Sequence, residues 1–297
     1  MPVAASAASP DDPRDGQSVP LHGLVLVSTP IGNLGDISTR ARTVLSACDV
    51  ILCEDTRRTG RLLAAMDIHT RTEPLHEHNE DARIGSVLER LRINQTVALV
   101  SDAGTPLVSD PGYRLVRAAI EAGFPVSAIP GPNAAVTALV LSGLPPLPFV
   151  FLGFPPAKQA ARRAAFSGLR AAERAGLSAT LVWYEAPHRL LETLEDLQDV
   201  FGDRSAAVAR ELTKRFETVE RGNVSSLAAL FTREPARGEI TVLIGPPETD
   251  DPEDLDGRLR AALATETVKD AAALVSTATG LPRKVVYARA LQIHGER

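Results

Sequence analysis

Three stretches of this chain bring glycine, proline and carboxylate together where predicted strands end. They are Ser28-Thr29-Pro30-Ile31-Gly32-Asn33-Leu34-Gly35-Asp36, the run SDAGTPLVSDPG from Ser101 to Gly112, and Ile129-Pro130-Gly131-Pro132-Asn133-Ala134. Glycine lets backbone approach a ligand closely, while proline fixes φ and removes a competing donor. None of the three holds a Lys or Arg, no GxxxxGK[ST] is present, and Gly32-x-x-Gly35 is only half of a GxGxxG. They offer Asp36, Asp102 and Asp110 instead. Carboxylates beside such glycines suit a ligand with a cation and hydroxyls better than one with phosphates. S-adenosylmethionine, an adenosine without phosphate that bears a sulfonium and an ammonium, has that chemistry. Tight turns with capping aspartates are the plain alternative. Three such loops at the carboxyl ends of parallel strands, where ligands bind, weigh against it.

A second set of ionisable groups lies in Trp183-Tyr184-Glu185-Ala186-Pro187-His188-Arg189 and in Ala209-Arg210-Glu211-Leu212-Thr213-Lys214-Arg215-Phe216-Glu217. Both segments follow predicted strands. There Lys214 and Arg210 are expected to stabilise charge on an oxygen nucleophile, with Glu217 or Glu185 as proton acceptor and His188 a less favoured base. A surface pair of Glu211 with Arg215 is the structural alternative. In Leu75-His76-Glu77-His78-Asn79-Glu80, His76 and His78 could flank a metal with Glu80 as third ligand. No other His cluster exists to complete such a site, so the reading is no metal.

The 297 residues suit two domains, and 44% hydrophobic with 23% charged residues is ordinary globular composition. No run reaches the length of a membrane span. The first 20 residues are small, Pro-rich and acidic without an apolar core, and read as a disordered lead-in. Two cysteines, Cys48 and Cys53, support neither a disulfide framework nor a Cys-rich zinc site, and a reducing cytoplasm is the simplest setting. The net charge is −5, with six acids between Glu248 and Asp256. Residues 151–174 instead hold Lys158, Arg162, Arg163, Arg170 and Arg174 against Glu173 alone. That stripe is a candidate RNA contact, because counterion release depends on the contact face and not on total charge. Its alternative is a solvated helix face.

The elements that must position these residues alternate. Strands are expected at 24–28, 50–53, 96–101 and 125–129, with helices near 38–47, 56–65, 80–92 and 111–122, which predicts an α/β domain with a largely parallel sheet. Asn79 and Asp110-Pro111 read as helix starts, by a capping side chain or Pro in the first turn. Beyond the Pro-rich 144–148, strands at 149–152, 179–184, 206–212, 216–221 and 238–244 and helices near 158–175, 187–200 and 224–231 predict a mixed sheet. Strands 206–212 and 216–221 are close enough to pair antiparallel. An acidic linker and two helices turning at Gly280-Leu281-Pro282 complete the chain. The expected division is 1–20, 21–132, 133–247 and 248–297. A DNA-reading helix-turn-helix is conceivable in the tail, but a helical appendage packing on the body is the better reading.

Taken in order, STPIGNLGD, CEDTR (53–57), HEHNE (76–80), SDAGTPLVSDPG, IPGPNA, FLGFPPAK (151–158), YEAPHR (184–189) and RELTKRFE (210–217) resemble the small-subunit ribosomal RNA 2′-O-ribose methyltransferases of the tetrapyrrole methylase superfamily. The resemblance spans roughly residues 23–245. It implies two α/β domains of tetrapyrrole methylase type with the cofactor cleft between them, plus a small helical C-terminal appendage. It also implies a homodimer that methylates the ribose of a decoding-site cytidine in 16S rRNA. Carried onto matching positions, it implies S-adenosylmethionine contacts from Pro30, Gly32, Asp102, Gly104, Pro106, Pro130, Gly131, Asn133 and Ala134. For RNA the expected contacts are Lys158, Arg162, Arg163 and Arg189. Two alternatives stay open: a tetrapyrrole C-methyltransferase acting on a small acidic macrocycle, and a non-catalytic adenine-nucleotide sensor whose tail binds DNA.

Overall fold

The computed structural model describes residues 22–247, 252–279 and 281–295. The expected lead-in, residues 248–251 of the expected linker and Gly280 of the expected turn lie outside the described residues. The chain forms two compact units that meet in sequence at Asn133 and Ala134.

In the first unit, strands β1 (Gly23–Val27), β2 (Val50–Cys53), β3 (Thr72–Pro74), β4 (Thr96–Val100) and β5 (Val126–Ile129) form one sheet in the order β3-β2-β4-β1-β5. Every pairing is parallel, with Val25 opposite Ala98 and Leu26 opposite Leu99. Successive side chains point to opposite faces of a strand. Val25, Val27, Ile51 and Ala98 therefore pack with Ala41, Val44 and Leu45 of α1 (Thr39–Ala47) and Leu63 of α2 (Thr56–Ala65). Leu24, Val50, Leu52, Val97 and Leu99 pack on the other face with α3 (Glu80–Arg92) and α4 (Tyr113–Glu121). Burial on both faces is why the central strands read as unbroken apolar runs. From β1 the chain crosses to β2 on one side, and from β4 it crosses to β5 on the other. That makes the carboxyl ends of β1 and β4 a topological switch point, the place where open α/β sheets form a ligand crevice.

The second unit holds α5 (Ala134–Ser142), β6 (Phe149–Phe151), α6 (Gln159–Arg174), β7 (Thr180–Glu185), α7 (Leu190–Phe201), β8 (Ser205–Arg210), β9 (Thr218–Asn223), α8 (Val224–Arg233) and β10 (Ile240–Ile244). Its sheet runs β6-β7-β10-β8-β9, parallel only between β6 and β7. The predicted antiparallel pair forms with Ser205 opposite Asn223 and Arg210 opposite Thr218. Phe166, Leu190, Leu194, Leu197 and Leu227 from α6, α7 and α8 cover one face through Leu181, Trp183, Val208 and Val242. Helix α5 packs against β7, β8, β9 and β10. Three further helices, α9 (Pro252–Ala262), α10 (Val268–Thr279) and α11 (Arg283–Gly295), share a core of Leu255, Leu259, Leu263, Ala271, Val275, Val286, Ala290 and Ile293. No helix among the described residues is long and apolar enough to cross a membrane.

Three local expectations are corrected. Helix α4 starts after Gly112, whose φ of +119° provides the entry, and not at Asp110-Pro111. The Asn79 side chain does not cap α3; its Oδ1 accepts from the His76 N–H at 2.8 Å. Arg162 is not part of an RNA-facing stripe. Its side chain is 0% exposed, and its Nε donates to Asp196 at 2.7 Å. Arg162 stands four residues before the buried Phe166, on the inward stripe of α6. Arg163, half-exposed, is matched by Asp196 and Asp199 of α7.

Arg162→Ala should lower the unfolding free energy by about 3–5 kcal/mol, since it opens a void and strips a partner from a buried carboxylate. Urea denaturation checks this. Arg162→Lys should not restore the loss, because one ammonium cannot serve Asp196, Glu192 and the Ala157 carbonyl together.

Candidate functional site

At the switch point the first loop is tied to the second by backbone. The Thr29 N–H donates to the Gly104 carbonyl at 2.9 Å, and the Gly104 N–H returns to the Thr29 carbonyl at 3.1 Å. Side chains lock the same corner: the Thr29 hydroxyl donates to the Ser101 carbonyl at 3.2 Å, and the Ser101 hydroxyl to the Gly104 carbonyl at 3.0 Å. Thr29 and Ser101 are buried, so these bonds satisfy groups that water cannot reach. The third loop joins through Thr105. Its hydroxyl donates to the Pro132 carbonyl at 3.1 Å and lies 3.5 Å from both the Ser28 hydroxyl and the Asn133 amide nitrogen. Gly131 passes so close to Ser28 that an added Cβ would stand 2.8 Å from the Ser28 Cβ.

The second loop is conformationally expensive. Gly104, Leu107, Ser109 and Gly112 all have positive φ, at +87°, +70°, +68° and +119°. Two of the four are not glycine, and strain of this kind collects at ligand sites. Gly112 could carry no side chain, because a Cβ would lie 2.6 Å from Leu99 Cδ2. Pro106 is buried within the loop.

Asp102 joins a fourth segment to the crevice. One carboxylate oxygen accepts from the Asp55 N–H at 3.1 Å, and the other meets Arg58 at 3.2 Å. Asp55 in turn caps α2 through the Arg57 N–H, and the nearby Arg57 holds its carboxyl down at about 2. Burial, with the charges of Glu54 and Asp102, pushes Asp110 up to about 6, against a hydrogen bond with Ser101. A buried carboxyl raised by neighbouring carboxylates marks a spot where a cationic ligand would be favoured. This acidity, the close-packed glycines and the absence of lysine fit an ammonium- and sulfonium-bearing adenosine and do not fit a phosphate group. Gly32 and Asp36 sit on the exposed tip of the first loop, while Pro30, Asn133 and Ala134 are half-buried and Pro130 is exposed.

In the second unit the loop between β8 and β9 is folded around Lys214. Its Nζ lies 2.8 Å from Glu211 Oε1 and 3.1 Å from Glu239 Oε2. Burial works against the Lys214 charge, but the two carboxylates outweigh it and raise its pKa. The hydrogen bond from Lys214 and the Glu239 N–H lower that of Glu211. Lys214 is therefore a fixed ammonium and not a base. Glu211 and Thr213 have φ of +51° and +64°, and the buried Thr213 hydroxyl has no partner among the described residues. Gly238 makes the arrangement possible: a Cβ there would meet Glu211 Oε1 at 2.3 Å. Glu217 is exposed and accepts from the Thr213 N–H at 2.6 Å. Arg210 donates to the Thr218 hydroxyl at 3.2 Å, acts by its charge on Glu211, and lines a pocket of about 410 Å³ with Glu220, Phe231 and Arg237.

Glu185 is corrected from proton acceptor to brace. Its side chain is 0% exposed; it accepts from the Thr193 hydroxyl at 2.6 Å and the Ala186 N–H at 2.7 Å, and pairs with Arg189 at 2.5 Å. Arg189 is held in that pair with 18% of its side chain exposed, and its buried Nε has no partner among the described residues. Of the four expected RNA cations, Lys158 alone is exposed with no carboxylate partner among the described residues. Glu80 is likewise committed, to the Leu115 N–H at 3.0 Å and to Arg114, and does not serve with His76 and His78 as a ligand set. Thr105, Glu54 and Arg58 were absent from the expected site set; only the convergence of several strand ends reveals them.

Comparison with known proteins shows the family. The family described as "Tetrapyrrole (Corrin/Porphyrin) Methylases" matches residues 23–228, and one described as "RsmI C-terminal HTH domain" matches 249–294. A relative from Micromonospora olivasterospora named "Ribosomal RNA small subunit methyltransferase I" is 47% identical over 94% of this chain and 90% of its own length. The like-named protein of Escherichia coli O157:H7 is 44% identical, covering 92% and 96%. Among solved structures, cobalt precorrin-4 methyltransferase matches 75% of this chain and 94% of its own with a TM-score of 0.54 at 16% identity. A diphthine synthase matches 75% and 90% with a TM-score of 0.57 at 15% identity. At such identities the structures speak for the fold alone.

Asp110 titrates near the usual carboxylate value, about 3.9, in the unfolded chain and near 6 in the folded one. Between those values the folded chain holds a proton that the unfolded chain lacks, so this group's contribution to stability falls as pH rises through that window. Asp110→Asn should therefore be more stable than the wild type at neutral pH, with the advantage fading toward about pH 4. Urea midpoints measured across that range check it; an advantage that does not vary with pH would contradict it.

Proposed function

This chain belongs to the tetrapyrrole methylase family and, within it, to the ribosomal RNA small subunit methyltransferase I group, and from that premise we infer that it methylates a ribose 2′-oxygen in 16S rRNA. The target is a decoding-site cytidine and the methyl donor is S-adenosylmethionine. The single observation that carries the donor assignment is the lysine-free, carboxylate-rich crevice where the loops after β1, β4 and β5 are tied through Thr29, Gly104 and Thr105. The rRNA substrate is supported by relatives at 44–47% identity. The tetrapyrrole enzyme, at 16%, shares only the fold, which leaves the acidic macrocycle as the weaker reading.

When bound, the donor supplies a methyl group on a positively charged sulfur, an electrophile for a hydroxyl oxygen. Pro30, Gly32, Gly104, Pro106, Pro130, Gly131, Asn133 and Ala134 are the residues to hold it, largely through backbone, with Asp102 and Asp110 toward its positive charge. Orientation of this kind can account for about 7–11 kcal/mol of the barrier. A ribose hydroxyl is a weak nucleophile until its proton begins to leave. Lys214, kept charged between Glu211 and Glu239, favours the developing alkoxide, and Arg210 adds to the same field. Glu217, exposed and hydrogen-bonded to the Thr213 N–H, takes the proton in this reading.

The protein works as a homodimer in the cytoplasm on the small ribosomal subunit. Exposed apolar side chains on the second unit, Val136, Val140, Leu147 and Phe154, offer area of the kind that a second copy covers.

Lys214→Ala should slow single-turnover methylation about 10²–10⁴-fold while donor affinity changes little. A rate within a few-fold of wild type would remove Lys214 from the chemistry. For the function itself, ribose methylation mapped in 16S rRNA from cells with and without this gene should differ by one ribose methyl; identical maps would refute it.

A further inference from the structure

The three-helix tail carries a charge separation that its sequence total hides. Acids concentrate on α9 as Glu253, Asp254 and Asp256, whereas α11 runs for 13 residues with Arg283, Lys284, Arg289 and His294 and no carboxylate. Asp256 is occupied at the α9–α11 contact, accepting from Arg289 Nε at 2.7 Å, and it also lies near Arg260. Asp256 sits low in pKa for that reason, the Arg289 hydrogen bond being the main cause. Arg283 and Lys284 are left exposed with no ion-pair partner among the described residues.

Their neighbours make this a face and not two scattered cations. At 100° per residue, Arg283, Lys284, Tyr287, Leu291 and His294 fall within an arc of about 100°. All five are exposed, Tyr287 at 40% and Leu291 at 49%, while Val286, Ala290 and Ile293, on the stripe that adjoins its Arg283 edge, are buried in the tail's own core. The second helix of a helix-turn-helix pair is the one that meets nucleic acid in such domains. Two cations with an interleaved aromatic and no acid match a polyanion with stacking bases better than a protein surface.

We propose that this face of α11 binds the phosphate backbone of the rRNA substrate, with Arg283 and Lys284 on phosphates and Tyr287 against a sugar or base beside them. The proposal rests on the rRNA reading above. It places an RNA-anchoring surface in the tail, apart from the residues assigned to the chemistry.

The test uses the full chain as Arg283→Glu/Lys284→Glu, a neutral Arg283→Gln/Lys284→Gln companion and Lys269→Glu of α10 as a control of equal sign. Circular dichroism and thermal melting verify that each stays folded, as exposed positions should. Affinity for protein-free 16S rRNA is measured across a salt series. The charge-reversed variant should bind at least about tenfold more weakly at low salt, and both double variants should lose about 1.4–1.8 from the slope of log affinity against log salt, two phosphate contacts' worth. Methylation of a short oligoribonucleotide carrying the target should stay at the wild-type rate. Wild-type affinity and slope, or a loss no larger than that of Lys269→Glu, would overturn the proposal. A loss seen with assembled subunits but not with bare rRNA would overturn it too, giving the face to a ribosomal protein. If the wild type itself neither binds nor methylates rRNA, both this proposal and the functional reading fail; if it does both and the variants match it, only this one fails.

Discussion

The reciprocal pair of backbone hydrogen bonds between Thr29 and Gly104 is the constraint on which the first unit's site depends. A parallel sheet leaves the ends of β1 and β4 side by side but says nothing about the loops that follow. The pair extends the β1–β4 contact beyond the last paired strand residues, Val27 and Val100, and so fixes where each loop departs. Gly104 at φ +87° turns the second loop at that point, with Ile31 Cγ2 only 3.2 Å from where a Cβ would stand. Thr105, the next residue, then reaches the third loop. One corner thus gathers three strand ends, and Asp102 brings in the fourth through the Asp55 N–H. A loop with four positive φ angles costs free energy, which the buried Thr29 and Ser101 hydrogen bonds offset locally.

The second unit solves a different problem: holding one ammonium in a defined place. A lysine has four rotatable bonds and a strongly hydrated head, so an isolated one would wander. Here two carboxylates from separate segments, Glu211 and Glu239, converge on Nζ, and the Glu239 N–H fixes Glu211 at 2.9 Å. Gly238 leaves the volume that Glu211 occupies. The same economy explains the arginines that do not face solvent: Arg162 on Asp196, Arg189 on Glu185 and Arg204 on Glu173 are internal braces.

Much of this was legible in the residues. The apolar runs GLVLV, VILC and TVALV announced buried parallel strands, and the glycine-proline loops announced the crevice. What escaped notice did so for physical reasons. Helix α5, AAVTALVLS, is apolar all round and carries no polar stripe to reveal a helical period. Strand β3 has three residues, too few for any period. Arg162 reads as a surface cation because arginine usually is one, although its spacing to Phe166 places it inward. The Glu211–Gly238–Glu239 contact joins residues far apart in sequence and exists only because β8 pairs with β10. The tail's charge looks acidic in a linear count, and the helix boundaries are needed to see that α11 holds cations and no carboxylate.

In the proposed reaction this fold moves a methyl group onto a ribose oxygen of small-subunit rRNA. Purified full-length protein can be incubated with S-adenosylmethionine carrying a labelled methyl and with small ribosomal subunits lacking the modification, and the label located by nuclease digestion and mass spectrometry. The label should appear on one cytidine at its ribose, in a nucleotide that resists alkaline cleavage on its 3′ side. Label on a base, on several nucleotides without preference, or transferred only to a tetrapyrrole would contradict it.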